Sequence, residues 1–313
     1  MPARQHPGIV VWCFTDGKAG HENQSRGLID ALCERHPVAD HLLQAGSGLS
    51  AARDYLLGRL PVARDLPNPD LIIGAGHATH FPMLAARRAR GGRLVVLMKP
   101  SLPMAWFDLC IIPEHDRPRR APHVLVTRGV LNRIRYTANH DDSAGLFLVG
   151  GPAPHVQWDN ASVIAQIRAV LERASDQHWW LTTSRRTPDD FLSALSELPD
   201  DLAARLTVVP FVETDSAWLP EKLGLAAQVW VTEDSVSMVY EALSSGAAVG
   251  LLAVSSTKQH GRIARGLDGL LQEGLVVRFA DWEQGSEIRV PAQRFDEAGR
   301  CADWIVEEWL SDR

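Results

Sequence analysis

The sequence predicts an α/β protein with two Rossmann-like domains, each built on a parallel sheet, that face a cleft. Its length of 313 residues corresponds to about two domains. Short apolar runs alternate with helical patterns along the chain, which is typical of parallel βα units. The two halves of the chain also differ in net charge, which is +7 for residues 1–136 and −13 for residues 137–313.

The first half of the chain is predicted to consist of strands separated by loops and helices. Strands are predicted at Ile9–Phe14, Asp70–Gly74, Arg93–Met98, Leu109–Ile112 and His123–Thr127, and helices at Asn23–Arg35 and Phe81–Arg90. Residues 136–144 are polar and lack periodicity, so they are the predicted linker. We therefore predict a first domain over residues 1–138 and a second over 145–313.

The second half repeats this alternation. Strands are predicted at Leu146–Val149, Trp179–Thr183, Leu206–Pro210, Gln228–Thr232 and Ala248–Leu252, and helices at Ala161–Ala174 and Val236–Ser245. Gly246 fits the left-handed position that ends a helix. The amphipathic helix predicted at Phe295–Leu310 is assigned to the second domain.

Composition excludes several classes of protein. The four cysteines form no CxxC pair, which excludes a zinc ribbon and a thioredoxin-like site. No apolar stretch reaches the roughly 18–20 residues that span a bilayer, and the N-terminus lacks the pattern of a signal peptide. We therefore expect a cytoplasmic protein whose membrane contact, if any, is peripheral at the inner membrane.

The loop after the first strand, Thr15–Ser25, holds the densest group of candidate residues. Gly17 and Gly20 allow a tight turn whose N–H groups, with the following helix N-terminus, favour an anion. Lys18 adds a charge suited to phosphate, and His21 is a candidate base or acceptor-orienting group. The alternative is a plain βα turn with a solvated lysine. The loop is not a P-loop, because it lacks the Gly-Lys-Ser/Thr ending.

A second glycine-rich segment, Gly74–Thr79, lacks the third glycine of a dinucleotide-binding fingerprint and does not follow the first strand, so we reject such a site. His77 and His80 are spaced to bind a metal in principle. A hydrogen-bonding pair in a loop is the favoured interpretation, and we expect no metal.

Three loops of the second half could bind a donor substrate. Gly150 and Gly151 end its first strand and form a potential phosphate cradle. Ser184 and Arg186 follow the next strand. The guanidinium of Arg186 suits phosphate, although a surface position at a helix start is equally consistent with the sequence.

The third of these loops joins a strand to a helix. Ser235 and Ser237 can cap the helix or contact an anion at its N-terminus. A carboxylate at Glu241 can accept both hydroxyls of a ribose. Lys258 lies in a polar segment suited to a sugar.

Several of these segments resemble the mitochondrial-fission Elm-type family over most of the chain. The segments are Thr15–Ser25, Leu97–Pro103, Pro113–Asp116, Thr127–Asn132, Thr183–Pro188 and Thr232–Met238. The family includes a plant protein implicated in recruiting a dynamin-like GTPase to mitochondria, which implies a partner-binding role.

The layout also resembles, more distantly, glycosyltransferases of the GT-B fold, especially the undecaprenyl-pyrophosphoryl-muramoyl-peptide N-acetylglucosaminyltransferase. Its glycine-rich first loop ends in histidine, as Gly17–His21 does here, and its ribose-binding glutamate precedes a helix-ending glycine by five residues, as Glu241 precedes Gly246. Its Gly-Gly-Ser turn is Gly150-Gly151-Pro152 in this chain. This resemblance implies a fold that needs no bound metal.

We therefore predict a glycosyltransferase without a cofactor that uses a UDP- or GDP-type nucleoside-diphosphate sugar. His21 and Lys18 are the predicted catalytic residues, and Lys18 and Arg186 stabilise the leaving diphosphate. The basic first domain suits an anionic, lipid-linked or membrane-associated acceptor, and we expect no nucleic-acid partner. The alternatives are a non-catalytic scaffold of the same shape and a nucleotide-sugar epimerase or hydrolase.

Overall fold

Two parallel six-stranded sheets form the framework of the chain in a computed structural model, which describes residues 8–46, 48–154, 156–256 and 262–311. Contacts divide these residues into two units. Unit 1 comprises the described residues up to Arg133 and those from Glu297 onward, and unit 2 is Ile134–Asp296. The predicted class, α/β with two Rossmann-like parallel sheets, is confirmed.

Unit 1 is a sheet covered by helices on both faces. It contains β1 (Ile9–Thr15), α1 (Ala19–Cys33), β2 (Val38–Gln44), α2 (Gly48–Leu57), β3 (Leu71–Ala75), α3 (His80–Arg90), β4 (Arg93–Leu97), β5 (Leu109–Pro113) and β6 (Val124–Thr127). The strands pair in the order β2-β1-β3-β4-β5-β6, all parallel. Successive residues of a strand point to opposite faces. Cys13 of β1 therefore packs in one core with Leu28 of α1, and Trp12 in the other with Met83 of α3.

Unit 2 has the same construction. It contains β7 (Asp141–Leu148), β8 (Val156–Gln157), α4 (Asn160–Arg173), β9 (His178–Thr182), α5 (Phe191–Leu195), α6 (Asp200–Ala203), β10 (Leu206–Val209), α7 (Trp218–Leu225), β11 (Ala226–Thr232), α8 (Val236–Ser245), β12 (Ala248–Leu252), β13 (Ser255–Ser256), α9 (Arg262–Gln272), β14 (Val276–Arg278) and α10 (Phe279–Glu283). The large sheet has the order β10-β9-β7-β11-β12-β14, all parallel, and β8 pairs with β13 in an antiparallel ribbon.

The last helix, α11 (Glu297–Trp309), packs against α1 of unit 1. Its residues Cys301, Ala302 and Ile305 are fully buried in the core that contains Leu28 and Leu32. This corrects the assignment of the C-terminal helix to the second domain. The apolar stripe of an amphipathic helix shows that the helix covers a core, but not which core it covers.

Within the two six-stranded sheets, the sequence prediction omits β2 and β14 and places the start of β7 too late. β7 begins inside the predicted linker, and its first three residues, Asp141–Ser143, are exposed. β2 lies at the sheet edge, and only Leu43 of its seven residues is buried. Within the described ranges, no helix is long and apolar enough to cross a membrane.

Candidate functional site

Strand order reverses once in each sheet, and the predicted loops lie there. In unit 1 the reversal falls between β1 and β3, and in unit 2 between β7 and β11. Ligands of open parallel sheets bind outside the carboxyl ends of the strands at such a point. The loop Thr15–Lys18 follows β1, the pair Gly150-Gly151 closely follows β7, and Glu233–Ser235 follows β11.

In unit 1 the point of reversal holds a histidine–aspartate pair. Nδ1 of His21 lies 3.0 Å from both carboxylate oxygens of Asp16. The Asp16 side chain is only 6% exposed, whereas the imidazole is 21% exposed. Burial tends to raise the pKa of Asp16, but hydrogen bonds from His21 and from the Lys18 N–H outweigh it and lower that pKa below its ordinary value. Since Nδ1 faces the carboxylate, Nε2 is the nitrogen available to a substrate.

Gly76, in the loop after β3, leaves the space that this imidazole occupies. A Cβ at Gly76 would lie 2.5 Å from Cε1 and Nδ1 of His21, and the residue has a φ of 88°. Any side chain would displace the ring and strain the backbone. The sequence indicates His21 as a candidate base but does not reveal Asp16 as its partner, although only five positions separate the two residues.

The other predicted residues of this loop have different surroundings. Gly17 has a φ of 76°, as a tight turn requires. Gly20 is not a loop residue, because α1 already begins at Ala19, and this corrects its assignment to the turn. Lys18 is the N-cap residue of α1, and its Nζ lies 3.5 Å from Oδ2 of Asp16 with 62% of the side chain exposed. Its charge is therefore partly balanced by Asp16.

The two histidines of the second glycine-rich segment differ in their exposure. His80 is 2% exposed, its Nδ1 lies 3.2 Å from Oγ of Ser101, and its ring contacts Phe107 edge-on. His77 is exposed. Among the described residues, no three His, Cys, Asp or Glu side chains are grouped closely enough to hold a metal ion.

Burial of His80 predicts a pH-dependent stability. Burial, with a smaller effect of the His77 charge, lowers the pKa of His80 from 6.5 to about 4. The unfolded imidazole therefore takes up a proton at pH values where the folded one does not. The contribution to stability is complete above pH 6.5 and is lost as the pH falls towards 4. We expect this effect of His80 to lower the free energy of unfolding by about 2 kcal/mol between pH 7 and pH 5.

Denaturant unfolding at pH 7 and pH 5 measures the free energy of unfolding and checks this prediction. His80→Asn should lose less stability than the wild type between the two pH values, because its side chain does not titrate. Equal losses in both proteins would show that the buried imidazole is not the cause. His36→Asn, beyond the far end of α1, is the matched control and should behave as the wild type does.

In unit 2 the point of reversal is built around Asp234. Its side chain is fully buried, and its Oδ2 accepts hydrogen bonds from Nη2 of Arg186, at 2.7 Å, and from the Gly151 N–H, at 3.0 Å. The Gly150 N–H donates to Oγ1 of Thr232 at 2.8 Å. Both glycine N–H groups are therefore engaged inside the unit. This corrects the expectation that they form an open phosphate cradle.

Arg186 is held by further bonds. Its Nη1 donates to the carbonyl oxygens of Gly151, at 3.0 Å, and Pro152, at 3.3 Å. Oγ of Ser184 accepts the Arg186 N–H at 3.2 Å. Since 41% of the Arg186 side chain remains exposed, it faces solvent at the same edge while its charge is balanced by Asp234.

The start of α8 lies beside Asp234. Ser235 is its N-cap residue, but its side chain makes no capping hydrogen bond. Ser237 is exposed and Glu241 half-buried, and their spacing of four residues places them on one face of α8. The helix ends at Gly246, whose φ of 92° confirms the predicted left-handed position. Lys258 lies outside the described residues.

An aromatic side chain that no sequence motif indicates is exposed after β10. The ring of Phe211 is 40% exposed, and its neighbour Val212 is 87% exposed. The guanidinium of Arg185 lies 5.6 Å from the centre of this ring, and the Phe211 N–H donates to Oγ1 of Thr183. An exposed ring fixed by its own backbone can stack on a flat ligand.

Comparison with known proteins gives a family and a fold. The model of a family described as "Mitochondrial fission ELM1" matches residues 19–309. A comparison with curated proteins gives no match.

Three solved structures share the architecture. A candidate UDP-N-acetylglucosamine 2-epimerase from Listeria monocytogenes has a TM-score of 0.62 at 12% identity, covering 97% of this chain and 96% of its own. The UDP-GlcNAc 2-epimerase of Methanocaldococcus jannaschii has a TM-score of 0.57 at 10% identity, with 95% and 99% covered. That of Neisseria meningitidis, bound to UDP-GlcNAc, has 0.53 at 10%, with 97% and 99% covered. The predicted GT-B-like fold is confirmed.

Proposed function

We propose that this chain, which belongs to the mitochondrial fission ELM1 family, binds a nucleoside-diphosphate sugar and transfers the sugar to an acceptor, with His21 as the base. The observation that carries the proposal is the His21–Asp16 pair, which lies at the strand-order reversal of its sheet. A histidine oriented by a buried carboxylate is suited to proton transfer.

In the proposed reaction, Nε2 of His21 takes the proton of an acceptor hydroxyl. The acceptor oxygen forms a bond to the anomeric carbon of the sugar while the bond from that carbon to the diphosphate oxygen breaks. The electron pair leaves with the nucleoside diphosphate. Asp16 stabilises the imidazolium that forms, and the free N–H groups at the start of a helix can stabilise the leaving charge.

On unit 2 the donor has a polar and an aromatic surface. We assign the diphosphate to the start of α8, beside Ser235 and Ser237, and the ribose to Glu241. The exposed ring of Phe211 would stack on the base, with Arg185 beside it. The UDP-GlcNAc bound in the Neisseria meningitidis structure favours UDP over GDP as the nucleotide.

The acceptor is proposed to be anionic or membrane-associated, because unit 1 presents an apolar and basic surface. Leu56, Leu57 and Val62 are 74%, 51% and 57% exposed. Exposed arginines accompany them, namely Arg53, Arg59, Arg64 and Arg88. Apolar side chains among arginines suit the surface of an anionic bilayer.

Calorimetric titration with UDP, GDP and their sugars tests donor binding. We expect a UDP-sugar dissociation constant between about 1 μM and 1 mM, the usual range for enzyme substrates. Absence of binding at millimolar ligand, with the fold intact by circular dichroism, would refute the donor assignment. Turnover should increase on addition of anionic vesicles and stay unchanged with neutral ones. An equal response to both would remove the anionic acceptor surface from the proposal.

A second candidate is a nucleotide-sugar epimerase or hydrolase, which is favoured by the names of the three similar structures. Product analysis without an acceptor separates the two. A transferase leaves the UDP-sugar intact, whereas an epimerase changes the sugar and a hydrolase releases it.

The family name favours a third candidate, a non-catalytic scaffold that binds a partner protein. Glu241→Ala and Lys18→Ala distinguish it from an enzyme. A scaffold would still bind its partner with both substitutions, whereas an enzyme would lose turnover.

A further inference from the structure

The Gly150-Gly151 turn contains an anion that belongs to the protein itself. The Asp234 carboxylate accepts the Gly151 N–H and the Arg186 guanidinium. It also lies so close to Gly150 that a Cβ there would be 2.1 Å from Oδ2. A glycine turn, a backbone N–H and an arginine are the elements that usually hold a phosphate. Here a carboxylate occupies them.

The second carboxylate oxygen shows that this arrangement is not fully satisfied. Oδ1 of Asp234 is buried and has no hydrogen-bond partner among the described residues. A buried carboxylate oxygen without a donor costs free energy, so local stability alone does not account for it. The same edge of the sheet carries the start of α8, where the proposed diphosphate would bind.

We infer that Asp234 is an internal competitor for the diphosphate, which selects ligands of lower charge at this site. The inference rests on the proposed function only for the identity of the natural ligand. Asp234 neutralises Arg186 and occupies the Gly151 N–H, so an incoming phosphate meets a carboxylate instead of an unpaired guanidinium. Repulsion by Asp234 increases with the charge of the ligand. A sugar-capped diphosphate is therefore preferred over free pyrophosphate.

Removal of the carboxylate should open the site. In Asp234→Ala the guanidinium and the Gly151 N–H lose the carboxylate that they share, and an added anion can take its place. We expect pyrophosphate to bind Asp234→Ala at least about tenfold more tightly than the wild type, as for one recovered charge-assisted hydrogen bond. Asp234→Asn, which keeps the shape and removes the charge, should give a smaller gain.

Calorimetry with pyrophosphate alone measures this effect. The matched control is Asp70→Ala in unit 1. The Asp70 carboxylate also accepts a backbone N–H, that of Val10, but neither a glycine turn nor an arginine takes part in that bond. It should show no gain. An Asp234→Ala protein that is folded and binds pyrophosphate no more tightly than the wild type would overturn the inference. If both Asp234 variants are unfolded in buffer, refolding by pyrophosphate supports the inference and failure to refold refutes it.

The wild-type protein titrated with a UDP-sugar separates this inference from the proposed function. A gain in pyrophosphate affinity without any binding of UDP-sugar to the wild type would keep the internal anion and refute the donor assignment. Binding of the UDP-sugar to the wild type, without a gain in pyrophosphate affinity in the variants, would support the donor assignment and refute the inference about Asp234.

Discussion

Replacing His21 with alanine should lower kcat for sugar transfer by a factor of about 10²–10⁴, the usual contribution of a general base. The substitution removes the only group that the proposed mechanism uses to take the acceptor proton. The imidazole is partly exposed and packs on Gly76, so the fold should survive. Release of UDP, measured at saturating donor and acceptor, gives the rate.

Asp16→Asn provides the more specific version of this experiment. The amide has the size of the carboxylate but cannot stabilise an imidazolium by charge. We expect kcat to fall by a factor of at least about ten with little change in KM for the donor, because the residues proposed to bind the donor belong to unit 2. A rise in donor KM with unchanged kcat would contradict a role for Asp16 in proton transfer.

The matched control for both variants is His36→Ala. His36 follows the last turn of α1, at the end of the helix away from His21, and its Nδ1 lies 3.1 Å from the carbonyl oxygen of Pro37. It should retain wild-type turnover. If His21→Ala also retains a third or more of that turnover, His21 is not the base.

Ile305→Ala should destabilise unit 1 by about 2–5 kcal/mol. Ile305 is fully buried on α11 in the core formed with α1 and β1, although it lies more than 170 residues beyond Arg133, where the first segment of unit 1 ends. The smaller side chain leaves a cavity that the surrounding helices fill only in part. Amide hydrogen exchange, which resolves separate parts of a protein, should show the loss.

The pattern of exchange decides between the two domain assignments. Protection should fall in β1 and stay unchanged in β7 and β11. Loss of protection in unit 2 instead would support the assignment of α11 to the second domain. Glu307→Ala, on the exposed side of the same helix, is the control and should change stability by less than about 0.5 kcal/mol.

These predictions depend on residues that the sequence revealed to different degrees. The buried strands were recognised because a strand covered on both faces is continuously apolar, as Ile9–Phe14 is. The edge strand β2 was not, because the exposed Asp40 and the half-buried His41 interrupt its apolar residues. His21 was recognised as a candidate base from its residue type and its loop. The sequence does not single out Asp234, because an acidic residue near a proposed phosphate site has no evident role until its partner, Arg186, is seen beside it.

The sequence by itself determined the α/β class, the two parallel sheets and the loops that follow their strands, because periodicity and glycine placement are local properties of the chain. Only the tertiary structure decided which charged and polar groups lie in contact. It paired Asp16 with His21 and Asp234 with Arg186, occupied both N–H groups of Gly150-Gly151, and placed α11 on unit 1. Apart from the Asp16–His21 pair, these contacts join residues distant in sequence. Their free energy depends on burial and distance, and neither quantity is encoded in a short stretch of residues.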